Sequence, residues 1–126
     1  MAEKSKKVLI AEDTKSYLLV LSADFAASGF DVITAENGED GLALALKENF
    51  DMIVSDIAMP KMDGITMAKK IREADVASPI IFLTNLSDME HISLAIEAAG
   101  NAEYVIKSDI TSQGIVEKVK DRLKMK

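Results

Sequence analysis

Four short, largely apolar runs lead directly into polar side chains, five in all, whose types belong together chemically. Glu12 and Asp13 follow Val8–Ala11, Asp56 follows Met52–Ser55, Thr84 follows Ile80–Leu83, and Lys107 follows Glu103–Ile106. Brought to one place, they would set three carboxylates against a single ammonium, with a hydroxyl beside them. Like charges a few ångströms apart raise one another's pKa unless a cation intervenes. One lysine does not balance three carboxylates. A hard divalent cation would, and an oxygen-only donor set without His or Cys selects Mg²⁺, Mn²⁺ or Ca²⁺ over zinc. Because Mg²⁺ commonly completes its shell with water and phosphate oxygens, such a group is unfinished without a phosphoryl ligand.

The elements that would have to position these residues alternate along the chain. Five runs read as strands: Val8–Ala11, 31–35, Met52–Ser55, Ile80–Leu83 and Glu103–Ile106. Between them the apolar residues recur at helical spacing. Leu18, Leu21, Phe25 and Ser28 make a stripe that stops at Gly29; Leu42, Ala45 and Leu46 follow the Asn37–Gly38 turn; Ile65, Ala68, Ile71 and Arg72 follow Asp63–Gly64. Ile92, Ala95, Ile96 and Ala99 form a fourth stripe, which Ser87 and Glu90 are expected to open as a capping box and Gly100 to close. Ile115, Val116, Val119 and Leu123 form the last.

Strand–helix alternation predicts an α/β fold, a five-stranded parallel sheet with helices on both faces, since each parallel pair needs a crossover. The mixed second run suits an edge, which fits the doubly wound (βα)5 order 2-1-3-4-5. In that order ligands gather beyond the carboxyl ends of the strands, beside the switch point between strands 1 and 3. All five polar residues would then share one rim.

Composition narrows the function classes. The chain has 126 residues, the size of one domain, with 48% hydrophobic and 29% charged residues. We expect a tail over residues 1–6 and a single domain over 7–126. The net charge of −6 argues against binding nucleic acid by this chain. The absence of cysteine excludes disulfides and thiolate chemistry, and the single histidine excludes multi-histidine metal sites. No apolar stretch approaches the roughly 20 residues needed to span a bilayer, and the start lacks a secretory pattern, so a cytoplasmic location without membrane contact is expected.

With these residues in register, the sequence resembles the receiver domain of two-component response regulators over nearly its whole length. The segment Asp56-Ile57-Ala58-Met59-Pro60-Lys61-Met62-Asp63-Gly64 carries the resemblance most strongly, joined by Glu12-Asp13, Thr84, Tyr104 and Lys107. The resemblance implies a flavodoxin-like fold in which Asp56 accepts a phosphoryl group from a sensor histidine kinase or a His-containing phosphotransfer protein. It further implies that Asp13, Asp56 and the Ala58 backbone carbonyl ligate Mg²⁺, with Glu12 assisting through water, and with Mn²⁺ or Ca²⁺ as substitutes. Thr84 and Lys107 would hold phosphoryl oxygens, and Tyr104 would be the rotating aromatic of the switch. The output would be a protein-docking face on helix 4, strand 5 and helix 5, acting on a protein target, with a phosphorylation-dependent dimer as one form. No turnover of an external substrate is implied.

Four positions depart from the family's pattern. Asn85 stands where a small residue is common, Ser108 where a proline with a cis bond usually follows the lysine, and Ala58 and Leu86 are apolar. A trans Lys107–Ser108 bond is expected, because a cis bond before a non-proline costs about 2.5–4 kcal/mol. Ala58 and Leu86 cannot orient an attacking water, which predicts slow self-dephosphorylation. Two other readings compete: a phosphorylation-independent adaptor, and a small Mg²⁺-dependent phosphatase passing through an aspartyl-phosphate. The phosphatase would want an aspartate where Ala58 stands. His91 is expected at the surface, Met59 and Met62 as packing around the acceptor loop, and the terminal lysines as solvated.

Overall fold

The strand sequences separate their side chains with the period of two that a pleated strand imposes. In the computed structural model, which describes residues 5–125, Leu9, Ile53, Ile80 and Phe82 face one layer of helices. Val8, Ile10, Met52, Val54, Ile81 and Leu83 face the other. The strands are β1 (Lys7–Ala11), β2 (Asp31–Ala35), β3 (Met52–Ser55), β4 (Ile80–Thr84) and β5 (Ala102–Ile106). They form one parallel sheet in the order β2-β1-β3-β4-β5, as expected. The three inner strands are almost wholly buried, whereas both edge strands, β2 and β5, are largely half-exposed. The segment over residues 1–4 and Lys126 lie outside the described residues, so most of the expected tail does too.

The helices are α1 (Lys15–Ala27), α2 (Gly38–Lys47), α3 (Gly64–Glu73), α4 (Met89–Ala99) and α5 (Ser112–Arg122), with a 3-10 turn over Lys107–Asp109. Helices α1 and α5 cover one face through Leu18, Leu21, Phe25, Ile115, Val116 and Val119. Helices α2, α3 and α4 cover the other through Ala45, Met67, Ala68, Ile71, Ala95 and Ala99. Fully burying an aliphatic side chain of this kind stabilises by roughly 1.5–3 kcal/mol, so these two layers hold the sheet.

The structure corrects several local expectations. Helix α4 is capped by Asp88, whose carboxylate accepts from the His91 amide at 3.1 Å, and not by Ser87. Asp88 fits the N-cap role as well as serine does, and it also meets the His91 ring at 2.7 Å. Leu46 and Ile96, assigned to buried stripes, are exposed; the buried positions on α2 are Gly38, Gly41 and Ala45. The close approach of helix to sheet there favours small residues over leucine. Lys7, Thr84 and Ala102 extend their strands by one residue beyond the apolar runs.

Candidate functional site

The carboxyl ends of β1 and β3 lie side by side, Ala11 opposite Ser55, so the residues that follow them meet. Carboxylate oxygens of Glu12, Asp13 and Asp56 all fall within 4.8 Å of one another. Asp13 is exposed, while Glu12 and Asp56 are buried. On the far side Thr84 pairs in register with Ile106, which brings the end of β5 and Lys107 to the same rim. The Lys107 Nζ lies 2.7 Å from Glu12 Oε1 and 2.8 Å from Asp56 Oδ2. No cis peptide bond occurs among the described residues, so Lys107–Ser108 is trans as expected, and the lysine still reaches both carboxylates.

Backbone groups fix the acids. The Thr14 amide donates to Glu12 Oε2 at 2.9 Å, and the Ile57 amide to Asp56 Oδ1 at 2.7 Å. The Asp56 amide itself donates to the Ala11 carbonyl at 2.9 Å, tying the loop after β3 to β1. Gly64 opens α3 against this loop so closely that a Cβ there would fall 2.0 Å from the Asp56 carbonyl oxygen. Met59 and Met62 pack against the core beneath the loop, as expected.

Burial, the largest influence, pushes the Glu12 carboxyl above the usual range, against the pull of Lys107 and the Thr14 amide. For Lys107 burial is the strongest influence and works against the charge. The hydrogen bonds to Asp56 and Glu12, with their charges, more than offset it and hold the ammonium above the ordinary lysine pKa. The anticipated repulsion among the acids is thus partly relieved by one lysine. An oxygen-only donor set whose carboxylates already converge fits a hard divalent cation such as Mg²⁺.

Thr84 stands at the same rim, with its hydroxyl accepting from the Leu86 amide at 3.3 Å. Tyr104 is half-buried beside Phe82, and its hydroxyl donates to the Leu86 carbonyl at 2.7 Å. Below it a shallow groove of about 530 Å³ is lined by Ile96, Tyr104, Ile106, Asp109, Ile110 and Lys118. Asn85 and Ser108 are exposed.

The sequence profile of the response regulator receiver domain family matches residues 8–120. The chain belongs to that family. The receiver domain is 37% identical over 103 residues to the alkaline phosphatase synthesis transcriptional regulatory protein PhoP of Bacillus subtilis, covering 82% of this chain and 42% of that protein. The chain therefore spans less than half the length of such curated relatives. Among solved structures it resembles a CheY-like receiver domain protein from Methanospirillum hungatei, with a TM-score of 0.88, 25% identity and coverage of 96% and 95%. It also resembles the chemotaxis response regulator CheY4 of Vibrio cholerae, with a TM-score of 0.82, 28% identity and coverage of 94% and 98%. Receiver domains are phosphoacceptors that bind Mg²⁺ at an acidic pocket and work with histidine kinases or phosphotransfer proteins, so neither the adaptor nor the phosphatase reading is favoured.

Two features escaped sequence reasoning. The ring of Tyr17, in the first turn of α1, lies under Lys107 with the Nζ 4.5 Å from its centroid. The outer face of α1 is also apolar: Leu19 and Val20 are 70% and 53% exposed, and Ala23, Ala26 and Ala27 beside them are exposed. The residues of that outer face fall outside the stripe of Leu18, Leu21 and Phe25, whose periodicity alone points to the core.

Proposed function

We propose that Asp56 is the phosphoacceptor of this receiver, with residues 7–126 as the working unit and the cytoplasm as its location. One Asp56 carboxylate oxygen attacks the phosphorus of a phosphohistidine on a kinase or phosphotransfer protein. The new O–P bond forms as the P–N bond breaks, and the donor imidazole leaves with the electron pair. The product is an acyl phosphate on Asp56, and no external substrate is turned over. Transfer of this kind has a loose transition state, so positioning and charge neutralisation supply most of the catalysis.

The residues divide that work. Asp13, Asp56 and the Ala58 carbonyl would hold the cation directly, and Glu12 through water, as in the receiver family that the chain resembles; the converging carboxylates support the set. When bound, Mg²⁺ supplies positive charge to the acid cluster and to the phosphoryl oxygens. Lys107 exchanges part of its contact with Asp56 for a phosphoryl oxygen. Thr84 turns its hydroxyl from the Leu86 amide to donate to another. That movement disturbs Leu86, which also anchors Tyr104, so phosphorylation shifts the population of the face formed by α4, β5 and α5. A protein target, or a second copy in a phosphorylation-dependent dimer, would read that face.

The observation that carries this reading is the convergence of Glu12, Asp13 and Asp56 oxygens with Lys107 laid across two of them. The test is intact mass after incubation with Mg²⁺ and phosphoramidate. A Mg²⁺-dependent gain of one phosphate that Asp56→Ala abolishes is expected. No gain in either protein would restore the adaptor.

A further inference from the structure

Lysine carries its charge on a flexible four-carbon stem, so a lysine that must meet a developing anion needs more than an opposite charge to fix it. Lys107 leaves β5 through a trans bond into a 3-10 turn, without the proline usual in the family. Two carboxylates grip its ammonium at 2.7 and 2.8 Å. In the reaction proposed above, one of those two, Asp56, becomes an acyl phosphate and ceases to be that partner. Glu12 alone would then hold the flexible side chain, and a second contact that does not change during transfer would keep the lysine in place.

Tyr17 supplies such a contact. Its ring centroid lies 4.5 Å from the Lys107 Nζ, within the 6 Å or so over which a ring face attracts a cation. The lysine side chain is only 14% exposed, so water screens the attraction little. The ring is held by packing against the core layer shared by α1 and α5. Its hydroxyl is buried and has no hydrogen-bond partner among the described residues, so the phenol brings no polar contact of its own to the site. Burial, chiefly, raises the phenol's pKa, which keeps it neutral beside the acids.

We infer that Tyr17 is a positioning residue for phosphoryl transfer, its ring and Glu12 together holding the Lys107 ammonium at the pocket while the lysine's other carboxylate partner, Asp56, changes. The inference rests on the phosphoacceptor reading, but part of its test does not.

In the metal-free, unphosphorylated protein, the Lys107 Hε resonances are expected to be displaced upfield by the ring current of Tyr17. Tyr17→Phe keeps that displacement and Tyr17→Leu abolishes it. With Mg²⁺ and phosphoramidate, Tyr17→Phe is expected to gain phosphate within twofold of the wild-type rate, and Tyr17→Leu about three- to thirtyfold more slowly. A folded Tyr17→Leu reacting at the wild-type rate overturns the inference. So does a Tyr17→Phe as slow as Tyr17→Leu, which would assign the role to the hydroxyl. Undisplaced Lys107 resonances in the wild type also overturn it, and this measurement needs no variant to fold and no phosphorylation to occur.

Discussion

The Tyr104 hydroxyl donates a 2.7 Å hydrogen bond to the Leu86 carbonyl, and the Leu86 amide donates in turn to Thr84. One residue therefore links the Thr84 hydroxyl at the rim to the aromatic at the edge of the shallow groove. Tyr104→Phe removes the tether while keeping the ring against Phe82. A neutral hydrogen bond of this kind contributes about 1 kcal/mol net, which urea unfolding should register as lost stability. Amide exchange at residues 86–88 should quicken at the same time. Unchanged exchange there would mean that Tyr104 and Thr84 are not coupled through Leu86.

The Lys107 bridge sets a pH dependence. Its own raised pKa stabilises the fold fully below the ordinary lysine value and loses that contribution only as pH rises through the folded pKa, far into the alkaline range. Glu12 has the reverse sign from a usual carboxylate. Its folded pKa is raised, so the native state binds the proton more tightly and stability falls as pH rises from 4.5 through the folded value. Lys107→Met removes an influence that lowers the Glu12 pKa, which widens that window upward. Removing one partner of a buried pair costs about 3–5 kcal/mol, and the partial exposure of Lys107 puts this case at the lower end. Thermal melts of wild type and Lys107→Met should differ less at pH 5 than at pH 8. An equal gap at both would show that Glu12 is not the group left stranded.

The sheet order and the rim were legible because both follow from strong local signals. Runs of branched apolar residues named the strands, and polar residues directly after four of them named the rim, leaving only a one-residue question at strands β1, β4 and β5. Helix faces were less legible where small residues permit close approach: Gly41 and Ala45 lie inside on α2, while Leu46 points out. The α4 cap was ambiguous because Ser87 and Asp88 are both good caps one position apart, and only the backbone turn decides between them. Tyr17 was invisible for another reason. Its partner lies 90 positions away on β5's exit, and a tyrosine at a half-buried helix position reads as ordinary packing.

Gly64 is needed for space and not for an unusual backbone angle. An added Cβ would meet the Asp56 carbonyl oxygen at 2.0 Å, and the Gly64 amide is already committed to the Ile57 carbonyl at 2.8 Å. Gly64→Ala must push back the segment that carries the acceptor, at about 1–3 kcal/mol for an overpacked site. Gly29 offers the contrast: its φ is +94°, but beyond its chain neighbours no atom of the described residues lies within 4 Å of a Cβ, so Gly29→Ala carries only a left-handed backbone cost of about 1–2 kcal/mol. Both variants should lower the urea midpoint. Only Gly64→Ala should also slow phosphate gain from phosphoramidate, and equal rates would separate the loop's position from the acceptor's reactivity.

Loss of the phosphoryl group should be slow, for a reason that lies in two apolar side chains. Hydrolysis of an acyl phosphate needs a water held in line with the O–P bond, and positioning is the main contribution a protein makes to such a step. Ala58, two residues after Asp56, is exposed and has no polar atom to hold that water. Leu86, two residues after Thr84, is half-buried and packs against the core layer of α2, α3 and α4, so it serves the fold and not the solvent. Ala58→Asn places an amide at the rim without disturbing packing, whereas Leu86→Glu gives up apolar contact and should also cost stability. Following phosphate loss by intact mass after removing the donor, the double variant should decay faster than wild type, with Ala58→Asn alone giving part of the gain. A double variant that decays no faster would mean that access, and not water orientation, limits the lifetime of the signal.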